Sequence, residues 1–233
     1  MLAGSGQACA ADTEAAKQNE IAYKFTPTYY HVTDGAPAWD YNLRGNRDTH
    51  TAWVGYYQRS NEFQQLRLGY EYALELPFGR LVPSLQYASR GFLGGGVNAE
   101  IGERFFVLAG FGRTNLKEYY NLNFDPNDMV MIGVGTRALK NTTLSLFQIR
   151  DDRLDTGQRV THLVSRFKSD EKNRWTVDLF YKEGSPDPGS AAVHGTGVTL
   201  TRDFGQYFAR VANDPHVNFS DQHMVRVALG MRF

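Results

Sequence analysis

The sequence predicts an all-β fold, a transmembrane antiparallel up-and-down β-barrel of about twelve strands. Three observations predict it. The end of the chain alternates apolar and polar residues, the composition is rich in aromatic residues and glycine, and long apolar runs are missing. Together they favour strands with lipid on one face and water on the other.

The last strand, residues 223–233, carries the clearest pattern. Successive side chains of a strand point to opposite faces, so Val225, Val227, Leu229, Met231 and Phe233 share an apolar face, and Arg226 and Arg232 lie opposite. The strand ends the chain in an aromatic residue, and in this it resembles the closing strand of bacterial outer-membrane β-barrel proteins. The resemblance implies an outer-membrane location, recognition of Phe233 by the barrel assembly machinery, and contact with outer-membrane lipid and lipopolysaccharide.

Composition agrees with a barrel rather than with membrane helices. Aromatic residues make up 13% of the chain, glycine occurs 23 times, and the mean hydropathy is −0.45. A spanning helix needs about 18 to 20 consecutive apolar residues, whereas the best apolar stretches, 105–111 and 129–134, are only strand length. Lys plus Arg and Asp plus Glu both number 25, so no charge excess indicates a nucleic-acid partner.

The N-terminal residues have the features of an export signal. Residues 1–10 read as the remnant of a signal peptide, with cleavage after the Ala8-Cys9-Ala10 triplet. Lipid attachment at Cys9 is the alternative. A polar segment over residues 11–19 would follow, and residues 20–233 would form the single barrel domain.

Turn residues divide the barrel region into strands separated by alternating short turns and long loops. The loops near residues 116–127, 151–157, 185–190 and 214–222 are expected outside the cell. The count is open at 81–101, which reads as one strand or as two joined at Arg90-Gly91. If residues 81–101 form one strand, the first strand of the barrel is 21–30 and a loop over 34–48 follows it. If they form two strands, residues 20–47 become a plug or a periplasmic segment. A soluble lipocalin-like or sandwich fold is the alternative architecture.

Polar residues opposite the apolar face predict the lumen. Eight cations point inward against four anions when Lys168, Glu75 and Asp178 are counted with the pore-lining residues given below. The lumen is therefore expected to attract small anionic solutes by passive diffusion, without a cofactor. In shape and lumen chemistry this is similar to small monomeric channels for acidic oligosaccharides. The alternative is that these charges pair and close the lumen, which leaves a structural or interaction barrel. The predicted pore-lining residues are Arg67, Glu71, Glu100, Arg137, Arg166, Lys182, Arg210, Arg226 and Arg232.

Three further hypotheses concern the outer end of the barrel. An outer-leaflet lipid hydrolase, a phospholipase or lipid A deacylase, would use His223, Ser220 and Asn213, although no His-x-Ser pair supports it. Hard oxygen ligands at Asn121, Asn123, Asp125 and Asp128 could form a calcium or lipopolysaccharide-bridging site, but the same residues are ordinary turn formers. Three tyrosine pairs, at residues 29–30, 56–57 and 119–120, are expected in the interfacial aromatic girdles.

Overall fold

The computed structural model describes residues 20–60, 63–120, 125–170 and 172–233. The segments predicted as a signal-peptide remnant and a polar N-terminal stretch lie outside the described residues, as does Cys9. These described residues form fifteen strands and one short 3-10 helix, η1, at Val217–Phe219. The strands are β1 Ala22–Val32, β2 Ala38–Arg47, β3 His50–Arg59, β4 Phe63–Tyr72, β5 Leu74–Leu76, β6 Gly79–Ala88, β7 Phe92–Ile101, β8 Phe105–Thr114, β9 Met129–Leu139, β10 Thr142–Asp151, β11 Arg159–Lys168, β12 Asn173–Gly184, β13 Val193–Phe204, β14 Tyr207–Asp214 and β15 Met224–Arg232.

All strands belong to one closed antiparallel sheet in which neighbours in sequence are neighbours in space. The ring closes where β1 pairs with β15, with Lys24 opposite Arg232 and Tyr30 opposite Arg226. At the very end of this seam, Tyr23 and Phe233 exchange backbone hydrogen bonds of 2.7 and 3.0 Å. Closure leaves no sheet edge with unpaired backbone groups, which is the condition for a sheet in lipid.

Strands β4 and β5 act as one strand of the wall. Both pair with β6 in the same register, with Glu71 opposite Ser84 and Leu74 opposite Leu81. This register places Tyr72 opposite Pro83, and proline has no N–H to donate to the ladder. The barrel therefore has fourteen wall strands, with the fifteenth element a continuation of the fourth.

The predicted number of about twelve strands is wrong, and two segments explain the difference. Residues 38–47, expected within a loop, form β2, and residues 81–101 form two strands rather than one. The loop interpretation failed because Asp40, Asn42 and Arg44 are turn-type residues that here lie on the lumen side of a regular strand. The structure places residues 22–32 and 38–47 in the wall.

The outer surface of the sheet is an apolar belt, as the alternation predicts. On β15 the odd-numbered residues are exposed, Leu229 by 62% and Val227 by 42%, whereas Ala228 between them is 2% exposed. The clean alternation of β4 behaves in the same way, with Leu66 and Leu68 exposed beside buried Arg67. Apolar side chains around the outside and arginine inside are what lipid and enclosed water require.

Aromatic rings on the lumen side lie over glycines of the neighbouring strand. In each pair the two residues are direct cross-strand partners, and a Cβ built on the glycine would overlap the ring. A ring that covers a glycine lies along the wall instead of projecting into the lumen, and it packs where the glycine leaves space. The four pairs are Trp53 with Gly69, Phe106 with Gly135, Phe180 with Gly197 and Phe208 with Gly230, whereas a Cβ built on Gly133 would meet the Cβ of its partner Phe147 rather than its ring.

The two ends of the barrel differ in their connections. Between the described strands, six connections lie at the end that holds residues 22 and 233, which we call the terminal end, and seven lie at the opposite, far end. All four loops predicted on one side of the membrane are at the far end. In the described part of the chain, no helix has the length and apolar character needed to cross a membrane.

Candidate functional site

The lumen contains a cavity of about 680 Å³. Its wall is formed mainly by β1, β2, β4, β6, β7, β8, β9 and β15, with Arg210 from β14, and it extends from Lys24 near the terminal end to Thr114 at the far end. Four of the predicted pore-lining residues reach it. They are Arg67, Glu71, Arg210 and Arg226.

Three cations stand side by side across the seam of the barrel. Lys24 on β1 is the direct partner of Arg44 on β2 and of Arg232 on β15. Like charges that face each other across strands destabilise a sheet unless something neutralises them. Carboxylates neutralise the two outer cations, since Glu71 Oε2 lies 3.3 Å from Arg44 Nη1 and Asp203 Oδ1 lies 2.5 Å from Arg232 Nη2. We call Arg44, Lys24 and Arg232 the cation row.

The centre of the cation row differs from its ends. Among the described residues, no carboxylate oxygen lies within 4.0 Å of the Lys24 ammonium, which instead lies 4.4 Å from the centre of the Phe208 ring. Arg210, further along the same wall, likewise has no carboxylate within that distance in the described segments, and its Nε donates to Thr201 Oγ1 at 3.2 Å. These two cations leave positive charge facing the cavity.

The charges around the whole cavity are unequal. Six cations and three carboxylates line it among the described residues. Two of the carboxylates are engaged with cations, Asp40 with Arg67 in a buried pair and Glu71 with Arg44. The cavity wall therefore has an excess of positive charge. The full set is Lys24, Arg44, Arg67, Arg113, Arg210 and Arg226 against Asp40, Glu71 and Asp125.

The remaining predicted pore-lining residues lie elsewhere. Glu100 and Arg137 form an ion pair of 2.6 Å, and both are among the charged groups that act on Arg166. Arg232 belongs to the cation row. Lys182 is 1% exposed and is bound to the equally buried Asp214, so its ammonium does not reach the cavity.

The described residues of the loop between β8 and β9 fold into the barrel instead of standing out from it. Tyr119 stacks on Phe92 and Tyr120 stacks on Tyr57, in each case with ring centres 4.1 Å apart. Gln65 fixes the loop backbone, since its Nε2 donates to Glu118 O and its Oε1 accepts from Tyr120 N, both at 2.9 Å. We call the described residues 115–120 and 125–128 the inner loop.

The inner loop corrects the girdle interpretation of the tyrosine pairs. Tyr119 and Tyr120 pack inside the barrel, and burial raises the pKa of both hydroxyls, which keeps them neutral. The other two pairs divide between the faces, because adjacent strand residues point in opposite directions. Tyr30 is 2% exposed and Tyr57 is fully buried, so only Tyr29 and Tyr56 are placed toward the outer surface.

The second half of the inner loop carries the predicted metal-binding residues. Asn121 and Asn123 lie outside the described residues. Asp125 contacts His162 Nε2 at 3.2 Å, and Asp178 contacts the other ring nitrogen at 3.0 Å. Asp128 accepts from Arg153 at 2.9 Å and from Thr114. In the described segments no group of three acidic, histidine or cysteine side chains is placed to hold a metal ion.

Apolar side chains from a second loop narrow the far end. Val217 and Phe219 of η1 are buried, the first against Tyr30 and Tyr57 and the second against Val160 and Phe180. The backbone supports this fold with a left-handed conformation at His216, whose φ is 53°. The far mouth is therefore covered in part by residues 217–219 and in part by the inner loop.

The structure does not assemble the hydrolase alternative. Ser220 Oγ donates to Val217 O at 2.7 Å and accepts from Gln222 N, rather than facing an imidazole nitrogen. The ring of His223 packs 5.1 Å from that of His216. Asn213 lies on the outer face of β14. The three side chains thus lack the hydrogen bonds that would activate a serine nucleophile.

Sequence reasoning missed Lys24 and Arg44. A signal for Lys24 was present, because it alternates with Tyr23 and Phe25 on a segment already interpreted as a strand. Arg44 could be found only after β2 was known to be a strand. The inner loop contacts had no sequence signal that we can identify.

No protein-family model matches the chain, and no curated protein matches it either. The crystal structure of outer membrane protein Omp33 of Acinetobacter baumannii is similar with a TM-score of 0.61 and 10% identity, over 92% of this chain and 99% of that one.

Two further solved structures share the architecture. Salmonella typhi OmpF, in a complex with daunomycin, has a TM-score of 0.52 and 10% identity over 92% of this chain and 97% of that one. A triple mutant of Rhodopseudomonas blastica porin has a TM-score of 0.50 and 10% identity over 92% and 99%. At such identity the likeness concerns the fold. The chain thus has the closed β-barrel fold of outer-membrane porins.

Proposed function

We propose that the protein is a passive diffusion channel of the bacterial outer membrane that favours small anionic solutes. The observation that carries the proposal is the cation row, whose central Lys24 faces the cavity without a carboxylate partner among the described residues. Arg210 extends the positive wall toward the far end. Contact with outer-membrane lipid and lipopolysaccharide, assembly through Phe233 and a monomeric state belong to the same proposal.

The size of the cavity limits the solute. About 680 Å³ falls in the range of sites for single small molecules. The inner loop occupies part of the lumen and so restricts the width of the path. A compact carboxylate or phosphate ester suits this space better than a folded or branched polymer.

Electrostatics favours anions by a measurable amount. An anion 4 Å from one cation gains about 1 kcal/mol in water and about 4 kcal/mol at an effective dielectric constant of 20. A hydrated lumen lies near the lower value. Two unpaired cations in series would then favour anions over cations by about 1 to 2 kcal/mol, which is about 5- to 30-fold in permeability.

Reversal potentials in planar bilayers test the proposal. With the purified protein in a tenfold KCl gradient, we expect the potential to shift in the direction of chloride selectivity. The double variant Lys24→Gln, Arg210→Gln should lose most of that shift. Lys140→Gln, in an exposed turn at the terminal end, is the matched control and should retain it. A conducting wild type with cation selectivity, or a double variant that keeps full anion selectivity, contradicts the proposal.

A closed structural barrel is the second candidate, because the apolar residues at the far mouth and the inner loop both fill space. Val217 and Phe219 are 3% and 2% exposed. If they seal the mouth, wild-type protein will insert into bilayers without stable conductance, and removal of the loop side chains will create it. Stable conductance of the wild type eliminates this candidate.

A further inference from the structure

The outer surface near the far end of β10 and β11 is polar, unlike the belt below it. Gln148 and Thr161 are direct partners joined by a hydrogen bond of 3.0 Å. One step further toward the rim, Arg150 is the direct partner of Arg159. These four residues, which we call the rim patch, alternate with lumen-facing residues such as Ile149 and therefore point outward.

The two arginines of the rim patch form a like-charge pair. Arg150 is exposed, and the Arg159 side chain is 57% exposed. Arg159 contacts Glu183, whereas no carboxylate of the described residues lies within 4.0 Å of the Arg150 guanidinium. Two guanidinium groups facing each other across strands disfavour the pairing unless an anion lies between them. Guanidinium groups bind phosphate through paired N–H donors.

A groove of about 540 Å³ adjoins the patch. It is bounded by Tyr181 and Glu183 of β12, by His194 of β13, and by the turn at residues 155–157. Its hydroxyl, carboxylate and imidazole groups can donate and accept hydrogen bonds in the way that sugar hydroxyls require. The groove therefore offers polar partners beside a cationic pair.

Aliphatic side chains continue the surface toward the middle of the barrel. Leu146, Leu163 and Leu179 are cross-strand neighbours on β10, β11 and β12, and each is 42 to 49% exposed. They lie two residues, or about 7 Å, below the Gln148 and Thr161 level. A ligand that contacts all three surfaces would place a phosphate at the rim patch, a sugar in the groove and an acyl chain along the leucines.

We propose that the rim patch binds the phosphorylated disaccharide headgroup of an acylated saccharolipid of the lipid A type. The phosphate lies between Arg150 and Arg159, the sugar occupies the groove, and the acyl chains follow the leucines. Inorganic phosphate would use only the arginines. The inference shares the proposed outer-membrane location but not the conducting lumen, because every residue of the patch lies on the outside.

Binding of lipid A to the purified protein in detergent tests the inference. We expect the double variant Arg150→Gln, Arg159→Gln to weaken binding of diphosphoryl lipid A at least tenfold, equivalent to about 1.4 kcal/mol. Arg202→Gln is the matched control, since Arg202 is an exposed outward arginine near the terminal end that lies over Trp175. It should bind lipid A like the wild type. Migration before and after boiling on a denaturing gel verifies that each variant folds.

The remaining arms distinguish the ligand chemistry. Dephosphorylated lipid A should bind no better to the wild type than to the double variant. Excess inorganic phosphate, added with the ionic strength of the buffer held constant, should not displace lipid A. Equal binding of diphosphoryl lipid A by wild type and double variant, or full displacement by inorganic phosphate, overturns the inference. Bilayer conductance of the double variant should equal that of the wild type, so failure here is separate from failure of the channel proposal.

Discussion

Gln65 is the point at which a single substitution should release the inner loop. The side chain is fully buried and makes two hydrogen bonds to the loop backbone, at Glu118 O and Tyr120 N. Gln65→Leu removes both bonds and fills a similar volume. A neutral hydrogen bond contributes about 0.5 to 1.5 kcal/mol, and a buried group left without a partner costs about 1 to 3 kcal/mol. The free energy that holds the loop against the barrel wall should therefore fall by about 2 to 4 kcal/mol.

In the first half of the inner loop, residues 115–120, two aromatic stacks would still hold Tyr119 and Tyr120 against the wall. The stacks of Tyr119 and Tyr120 contribute about 0.5 to 1.5 kcal/mol each beyond their burial. The loss at Gln65 is as large as both together, so the population of the detached loop should rise by about 30-fold or more. A detached loop leaves the lumen wider.

Two measurements follow the release. Hydrogen exchange of the amides in residues 115–120 should accelerate, and single-channel conductance should increase. Gln64→Leu is the matched control, because Gln64 is the adjacent residue, points outward and bonds only to Tyr56 in the described structure. If Gln65→Leu leaves both exchange and conductance at the wild-type level, the hydrogen bonds do not hold the loop in the lumen and the reasoning is refuted.

Three further predictions concern stability and titration. Gly230→Ala places a Cβ within the phenyl ring of the strand opposite, so it should lower the thermal stability of the barrel by about 1 to 3 kcal/mol, measured by heat-modifiable migration. Asp214→Asn leaves buried Lys182 without its counter-charge and should cost about 3 to 5 kcal/mol, whereas Lys182→Met combined with Asp214→Leu should recover most of it in the same assay. Arg113 donates to Asp152 and holds the pKa of that loop carboxyl below its usual range, so Arg113→Gln should raise the pKa of Asp152 in an NMR titration. The small stabilisation from this pair is present above the pKa that Asp152 has in the unfolded state. It is lost as the pH falls through the pKa that Asp152 has in the folded state.

Local alternation was sufficient to predict the outer surface. The exposed faces of β4 and β15 follow directly from a two-residue period, because every strand in lipid must present apolar side chains outward. The sequence pattern of lumen-facing residues is a weaker predictor of strands. Asp40, Asn42 and Arg44 have turn-forming side chains, and only their alternation with Trp39, Tyr41 and Leu43 indicates a strand. There the turn-forming composition predicts a loop more strongly than the alternation predicts a strand.

The inner loop could not be predicted, because its position depends on surfaces formed by distant strands. Tyr119 finds its partner on β7 and Tyr120 finds its partner on β3. A pair of tyrosines beside asparagine and aspartate has the same composition as a girdle residue next to an outer loop. Only the closed barrel brings Gln65, more than fifty residues earlier in sequence, next to the loop backbone.

The cation row could not be predicted without β2, because its members are neighbours only across correctly ordered strands. Residues can be neighbours across a sheet only if the order and register of the strands are known, and register is set by turn length. With β2 interpreted as a loop, β1 would pair with β3, and Lys24 would lie beside residues of that strand rather than beside Arg44. The charge excess could still be counted, because it depends only on which face each residue takes. The adjacency of the three cations depends on strand pairing, so it emerges only when β2 separates β1 from β3 and β15 closes the other side.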